Sequence, residues 1–486
     1  MEYTLEINAF INDYIKCLRE DCAAIFAGAG LSASLGYVDW KGLLRTPARR
    51  IGLDVDKETD LVTLAQYIYN EDRSKQPLAE LIKNNFVSSN NINENHEILT
   101  KLPIKTYWTT NYDSLIEDAL IKSGKKPDVK KTVKDLTTIV SKRDAVVYKM
   151  HGDICNASDV VLIKDDYELY EIKNQLFTIN LKRDLISKTF LFIGFSFEDP
   201  NLEYILSKMR ILMDGYSRKH YCFFKKINRV KYPEGEEGEK KFQYDKIKQE
   251  LKCADLKRYS IHPLLVDEYT DITQILKKVE NGFRKDHVLI SGSAEVFDEF
   301  GIHDIAPFEF IHNLSSGISK LGCKIITGVG KGIGSAVLNG VLDYMHKTYT
   351  RKVDDHIILR PFPLYATKNN NFEEVKRDYR RQMVDIGGIA VFVLGNKVVN
   401  GETQIADGVI EEFEIAVEKG LNVIPIGATG YASEELWKKV IEKFEAFYPN
   451  NPELKEYFEL LGSKEMTSDE IIKTVCKIII ELKEMY

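Results

Sequence analysis

Apolar and polar positions alternate along residues 1–283 in two rhythms. Continuous apolar runs of strand length occur at CAAIFA (22–27), IKTYWTT (104–110), AVVYKM (145–150), TFLFIGF (189–195) and HYCFFKK (220–226). Between them, stretches such as VTLAQYIYN and YDSLIEDALIK carry apolar residues three to four apart, the spacing of a helix with one buried face. Strands of this kind alternating with helices predict a parallel sheet wrapped by helices. Near residue 284 the pattern restarts with RKDHVLISGSA, then KIITGVGKGIGSAVLNGVLDYM, GGIAVFVLGNK and LNVIPIGATG, each a strand running into glycine. Two α/β units in series are therefore expected, spanning 1–283 and 284–486. The charged stretch YPEGEEGEKK at 232–241 is expected to be a surface loop.

Composition narrows the function classes. A chain of 486 residues is too long for one ordinary core, in keeping with two units. Its net charge of −7 argues against a general nucleic-acid binder. No apolar run approaches the ~18 residues of a bilayer span, and MEYTLEINAFINDYIKCLRE is too charged for a secretory leader. Seven cysteines, at 17, 22, 155, 222, 253, 323 and 476, never fall in a C-x-x-C pair. They point to a reducing cytoplasm, to no structural zinc, and to cysteines serving as small buried apolar residues. The expectations are thus a cytoplasmic protein with no metal, no membrane and no nucleic acid as partner.

The candidate chemistry begins at FAGAGLSASLGY (26–37). Gly28-Ala29-Gly30-Leu-Ser32-Ala fits the G-x-G-x-x-G/A turn that brings backbone close to a dinucleotide diphosphate after a strand. A hydride-transfer enzyme would continue with a second apolar strand ending in an acid that holds the ribose. Here YVDWKGLLRTPARRIGLDVDKETDLVTLAQYI follows instead, polar and helical in period. No Gly-Lys-Ser/Thr follows either, which excludes a kinase-type phosphate loop. TTNYD (109–113), KMHGD (149–153) and FIGFSFEDPNL (192–202) each come directly after a predicted strand, where parallel sheets collect ligands.

The series GAGLS, TTNYD, HG and GFSF, in that order, resembles the NAD-binding domain of the sirtuin family, especially its branch in bacterial defence proteins. The resemblance covers roughly the first 280 residues and implies a Rossmann-like sheet with NAD bound at its edge. It implies Asn111 orienting ribose hydroxyls or water, His151 as general base, and Asp113 shaping the loop or helping to place the water. Ala27, Gly28, Ala29, Gly30, Ser32, Asp39, Thr110, Gly194 and Ser196 are the implied cofactor contacts. A histidine suits the base because its unperturbed pKa lies near working pH. Protein-deacylating sirtuins carry a zinc module with two C-x-x-C pairs, absent here, and a Pro-Asp-Phe-Arg stretch where this chain reads Val38-Asp39-Trp40-Lys41. Both departures favour an enzyme that hydrolyses NAD itself. His96, in NENHEIL, is read as structural.

In the second unit, ISGSA (290–294), TGVGKGIGSA (327–336), YRRQM (379–383), GNK (395–397) and GVIEEFEIA (408–416) resemble the SLOG family of nucleotide-sensing Rossmann relatives. Its enzymatic cousins use P-G-G-x-G-T-x-x-E, where this chain has Ala406-Asp407-Gly408-Val409-Ile410-Glu411-Glu412, so sensing is expected rather than catalysis. A sirtuin-like domain followed by a SLOG domain resembles the effectors of the Thoeris anti-phage defence system. That likeness implies a cyclic ADP-ribose isomer bound by the second unit, switching on NAD hydrolysis in the first, within a homo-oligomer of four or more copies. The implied activator contacts are Ser291, Gly292, Ser293, Gly328, Gly330, Lys331, Gly332, Arg380, Lys397 and Glu412, with the choice between Arg380 and Arg381 open. A protein deacylase and a non-catalytic nucleotide sensor remain as other readings.

Overall fold

The computed structural model describes residues 3–37, 39–86, 91–350, 352–362 and 372–484. Val38, first residue of the stretch that departs from deacylating sirtuins, lies outside them. The contacts divide the chain into two compact units, Met1–Glu280 and Asn281–Tyr486.

Unit 1 is built on a seven-stranded sheet of β1 (Ala23–Ala27), β2 (Thr106–Thr109), β3 (Pro127–Lys130), β4 (Ala145–Lys149), β5 (Thr189–Ile193), β6 (His220–Lys225) and β7 (Ile261–Val266). Their order is β3-β4-β2-β1-β5-β6-β7, and every neighbouring pair is parallel. The chain leaves β1 towards β2 on one side, whereas β5 leads to β6 on the other. The crevice where the direction of winding reverses is where α/β sheets hold ligands. Instead of a second strand after the glycine loop, four helices follow: Trp40–Arg50, Leu61–Asp72, Gln76–Asn85 and Glu94–Lys101. The first three bury Leu43, Leu44, Leu64, Ile68, Leu78 and Ile82 in a core shared with Tyr112, Leu115, Val160 and Ile163. The sheet's central strands are buried throughout, and Trp108 stacks on Tyr148 with ring centroids 4.2 Å apart.

In unit 1, two strands were not visible in the apolar pattern, β3 (PDVK) and β7 (IHPLLV). The stretch 232–241 is also not all loop: the 22-residue helix Glu236–Lys257 begins inside it. Gly238 permits that start, because a Cβ there would overlap the Pro233 carbonyl. Among the cysteines, Cys17, Cys22, Cys222 and Cys323 are buried as expected, whereas Cys155 is exposed and Cys253 and Cys476 are half-buried.

Unit 2 carries a five-stranded parallel sheet of β8 (His287–Ser293), β9 (Lys324–Thr327), β10 (Ile357–Leu359), β11 (Ile389–Leu394) and β14 (Asn422–Pro425). Its order is β10-β9-β8-β11-β14, so the winding reverses between β8 and β11. A hairpin, β12 (Asn396–Val399) with β13 (Glu402–Ile405), follows β11 directly. Among the described residues, no helix is long and apolar enough to cross a membrane.

Candidate functional site

Strand register brings the four motifs of unit 1 to one level. Ala27 pairs with Thr109 and with Ile193, and Thr109 pairs with Lys149. Gly28, Asn111, His151 and Gly194 therefore all follow the ends of four adjacent strands. Thr109 reinforces the alignment, accepting from the Asn111 amide at 2.9 Å while donating to the Ala27 carbonyl at 3.0 Å.

The glycines are there for close approach. The Gly28 amide donates to the Ile193 carbonyl at 2.9 Å, and the Gly30 amide to the Gly194 carbonyl at 2.8 Å. A Cβ on Gly28 would come 2.8 Å from the Phe195 Cα, and one on Gly30 2.9 Å from the Gly194 Cα. Gly194 also has φ +65°, a left-handed conformation strained for any other residue. The Leu31 amide donates back to the Gly28 carbonyl at 3.0 Å. The N–H groups of Gly28, Gly30 and Leu31 are thus engaged within the protein.

A buried polar chain runs from this loop to the next. Asn111 Nδ2 donates to the Gly28 carbonyl at 3.2 Å and to Ser32 Oγ at 3.3 Å, and Ser32 Oγ donates to Asp113 Oδ2 at 3.0 Å. Asp113 Oδ1 accepts from the Leu115 amide at 3.1 Å, and burial raises the pKa of this carboxyl. Beneath the chain lies Lys149, whose side chain has no exposure to solvent. Its Nζ stands 2.7 Å from Asp153 Oδ2 and 3.2 Å from Glu117 Oε1, and it donates to the carbonyls of Tyr112 and Asp113. Burial disfavours that ammonium, but Glu117 and Asp153 outweigh it and hold its pKa above the ordinary value. Asp153 in turn lies well below the usual carboxylate range: burial pushes it up, and Lys149 and Lys131 together more than offset that. For Glu117, burial wins and the pKa rises.

His151 sits against two tyrosine rings, Tyr167 at 5.5 Å and Tyr170 at 6.5 Å between centroids. Its Nε2 lies 3.0 Å from Asp199 Oδ2, and both side chains are over nine-tenths buried. Asp199 also starts the helix Pro200–Met213, its Oδ1 accepting from the Leu202 amide at 2.8 Å. At this edge, donors that can hold hydroxyls lie one register level from an imidazole that can take a proton.

In unit 2 the end of β8 meets the helices Phe372–Val384 and Asp407–Glu418. Ser291 Oγ donates to Glu412 Oε2 at 2.7 Å, and Arg380 Nε stands 3.7 Å from Glu412 Oε1. Arg380 also donates to Glu411 at 2.5 Å and lies over the Phe362 ring at 4.6 Å. Arg381 reaches Glu418 at 3.2 Å and is half-exposed. Burial raises the Glu412 pKa, opposed by Ser291 and Arg380. Cβ atoms on Gly292 and Gly330 would overlap the carbonyls of Val393 and Gly292, and one on Gly332 that of Ala294, so the β8 and β9 loops interlock.

Two family models match the chain: a SIR2-like domain over residues 105–248, and the Sir2- and TIR-associating SLOG family over 271–482. It is 53% identical over 475 residues to the NAD(+) hydrolase ThsA of Cytobacillus dafuensis, covering 97% of this chain and 96% of that protein. Identity to NAD(+) hydrolase ThsA of Bacillus cereus (strain MSX-D12) is 45% over 475 residues, covering 97% and 98%. For NAD(+) hydrolase ThsA of Acinetobacter baumannii (strain 532279) it is 42% over 480 residues, again 97% and 98%. The chain belongs to the ThsA family.

Against that membership, the residues singled out in the sequence divide into two groups. Gly28, Gly30, Ser32, Asn111, Asp113 and Gly194 are joined by the contacts above, and Ser291, Arg380 and Glu412 by theirs. Ala27 is buried at the end of β1, Ala29 is exposed beside it, and Thr110 is half-buried. Asp39 is exposed and accepts from the Gly42 amide at 2.7 Å, capping its own helix Trp40–Arg50. Ser196 is exposed on the segment leading to Asp199. Ser293 donates to the Asn396 carbonyl at 3.1 Å, and Gly328 packs under Met383. Lys331 pairs with Glu295 at 2.9 Å and Lys397 with Asp407 at 2.5 Å. Reading the sequence missed Lys149, Asp199 and Glu411. Asp199-Pro200 carried only the signature of a helix start. Among the described residues, no group of three or more His, Cys, Asp or Glu side chains is placed to hold a metal.

Proposed function

We propose that unit 1 hydrolyses NAD to nicotinamide and ADP-ribose, and that a cyclic ADP-ribose isomer bound by unit 2 switches this on. The observation that carries the reading is the shared register of Ala27, Thr109, Lys149 and Ile193, which gathers Gly28, Asn111, His151 and Gly194 at one switch-point edge. The names of the full-length relatives agree with the hydrolysis of NAD. In this reading the diphosphate lies along the Gly28–Ser32 loop, and Asn111 orients the ribose hydroxyls and a water molecule. The water oxygen bonds to ribose C1′ as the C1′–N bond to nicotinamide breaks, its electron pair leaving with the ring nitrogen. His151 takes the proton released by the water. Positive charge builds on the ribose as the bond opens, so the electron-rich edge near Asp113 favours that moment over the ground state.

Gating has a physical rationale, since a constantly active NAD hydrolase depletes its own cell. The activator must bind the active arrangement better than the inactive one. Arg380 is the candidate cation for its phosphates and Glu412 for its ribose hydroxyls, within a homo-oligomer acting in anti-phage defence. The deciding experiment is incubation of the purified protein with NAD, with and without cyclic ADP-ribose isomers, following nicotinamide release. Release that rises with one isomer and vanishes in His151→Ala and Asn111→Ala is expected; folded protein that releases none under any condition defeats the reading.

A further inference from the structure

We infer that Asp199 is a positioning residue for His151: its carboxylate, held against the Nε2 edge of the ring, stabilises the imidazolium that forms when His151 takes a proton from water. This rests on the reading of His151 as the general base. The geometry is 3.0 Å from Nε2 to Oδ2, with the two side chains 4% and 8% exposed. The carboxylate lies off the line of a hydrogen bond from Nε2 and acts on the ring as a neighbouring charge, little screened by water at this depth. A base held by a third group is the usual arrangement for activating water or a nucleophile, because the imidazolium formed in the reaction meets a charge already in place.

Asp199 cannot easily turn away. Its second oxygen accepts from the Leu202 amide at 2.8 Å, and Pro200 fixes the backbone just after it. Burial pushes this carboxyl up, yet His151 and the helix amides hold it below its ordinary value, so it is an anion at neutral pH. The rings facing the imidazole, Tyr167 and Tyr170, have their pKa values pushed well up by burial and stay neutral.

A plain helix cap is the competing role, and two substitutions separate them. Asparagine and serine cap helices about as well as aspartate, but neither offers an anion to Nε2. Full-length Asp199→Asn, Asp199→Ser and His151→Ala are compared under conditions where the unaltered protein releases nicotinamide, together with thermal unfolding. The expected result is folded protein with an unfolding midpoint lower by a few degrees at most, a KM for NAD near that of the unaltered protein, and kcat lower by roughly 10²–10⁴-fold in both Asp199 variants. If Asp199→Asn fails to fold, Asp199→Ser decides alone. Near-normal kcat in the folded Asp199 variants, or a change in KM only, with His151→Ala inactive, overturns this inference and leaves the base assignment standing. His151→Ala turning over normally overturns the base assignment, and this inference with it.

Discussion

Lys149 and Asp153 face each other at 2.7 Å with the lysine side chain shut off from solvent and the aspartate 2% exposed. One lies two residues before His151 and the other two after, so the pair straddles the candidate base. Lys149 also holds the carbonyls of Tyr112 and Asp113, which follow Asn111. One buried cation thereby ties together the two loops on which the chemistry is placed. Removing it leaves Glu117 uncompensated in the interior and Asp153 with Lys131, 2.9 Å away, as its remaining cation. Lys149→Met should cost about 3–5 kcal/mol, read as a lower urea midpoint, and adding Glu117→Gln should recover part of the loss.

The Gly30–Gly194 contact makes a second prediction. A methyl on Gly194 would overlap the Leu31 amide nitrogen, at a backbone φ of +65°. Gly194→Ala should therefore destabilise unit 1 by more than about 1 kcal/mol, with a thermal midpoint several degrees lower. Gly36, also at positive φ but with open space around it, should tolerate alanine better in the same measurement.

Buried histidines predict how stability varies with pH. Burial lowers His96 to about 4 and His220 to about 3, from an ordinary 6.5. Below 6.5 the unfolded chain binds protons that the folded chain refuses, so stability is full above that value and drains away as pH falls towards 4. Each group contributes on the order of 3 kcal/mol across the window. Urea midpoints should fall between about pH 7 and pH 5, and His96→Asn should flatten that slope whatever its absolute stability.

The open choice between neighbouring arginines becomes a test of the cleft in unit 2. Arg380 is largely buried among Glu411, Glu412 and Phe362, whereas Arg381 is half-exposed beside Glu418. If the activator's phosphates meet Arg380, Arg380→Ala should raise the half-activating concentration roughly tenfold or more. Arg381→Ala should leave it unchanged. Glu411 holds the same guanidinium at 2.5 Å and competes with a phosphate, so Glu411→Gln should lower that concentration.

The doubly wound fold was legible because strands such as AAIFA and IAVFVL are buried along their whole length and read as unbroken apolar runs. β3 escaped because Asp128 and Lys130 occupy inward positions on an edge strand and pair with each other at 2.8 Å, so burial there leaves no apolar trace. The helix from Glu236 escaped because few of its residues are buried and its sequence shows little apolar stripe. At the site, the glycines, Asn111 and His151 were readable as strand-end motifs. Asp199 was not, since its partner lies 48 positions earlier in the numbering and a helix cap accounts for it locally. Lys149 opens KMHGD, where a lysine at a strand end reads as a solvated tip; Asp153 four residues on, with Asp113 and Glu117 brought in from more than thirty positions earlier, makes it the reverse.

The backbone interlock of Gly28, Gly30 and Gly194 also bears on how the loop can be re-engineered. A library that randomises FAGAGLSASLGY would squander most of its members on backbones that no longer close. Holding those glycines constant confines useful diversity to Ala29, Ala33 and Ser34, which are exposed beside them. Altered substrate preference is accordingly to be sought through these small, outward residues.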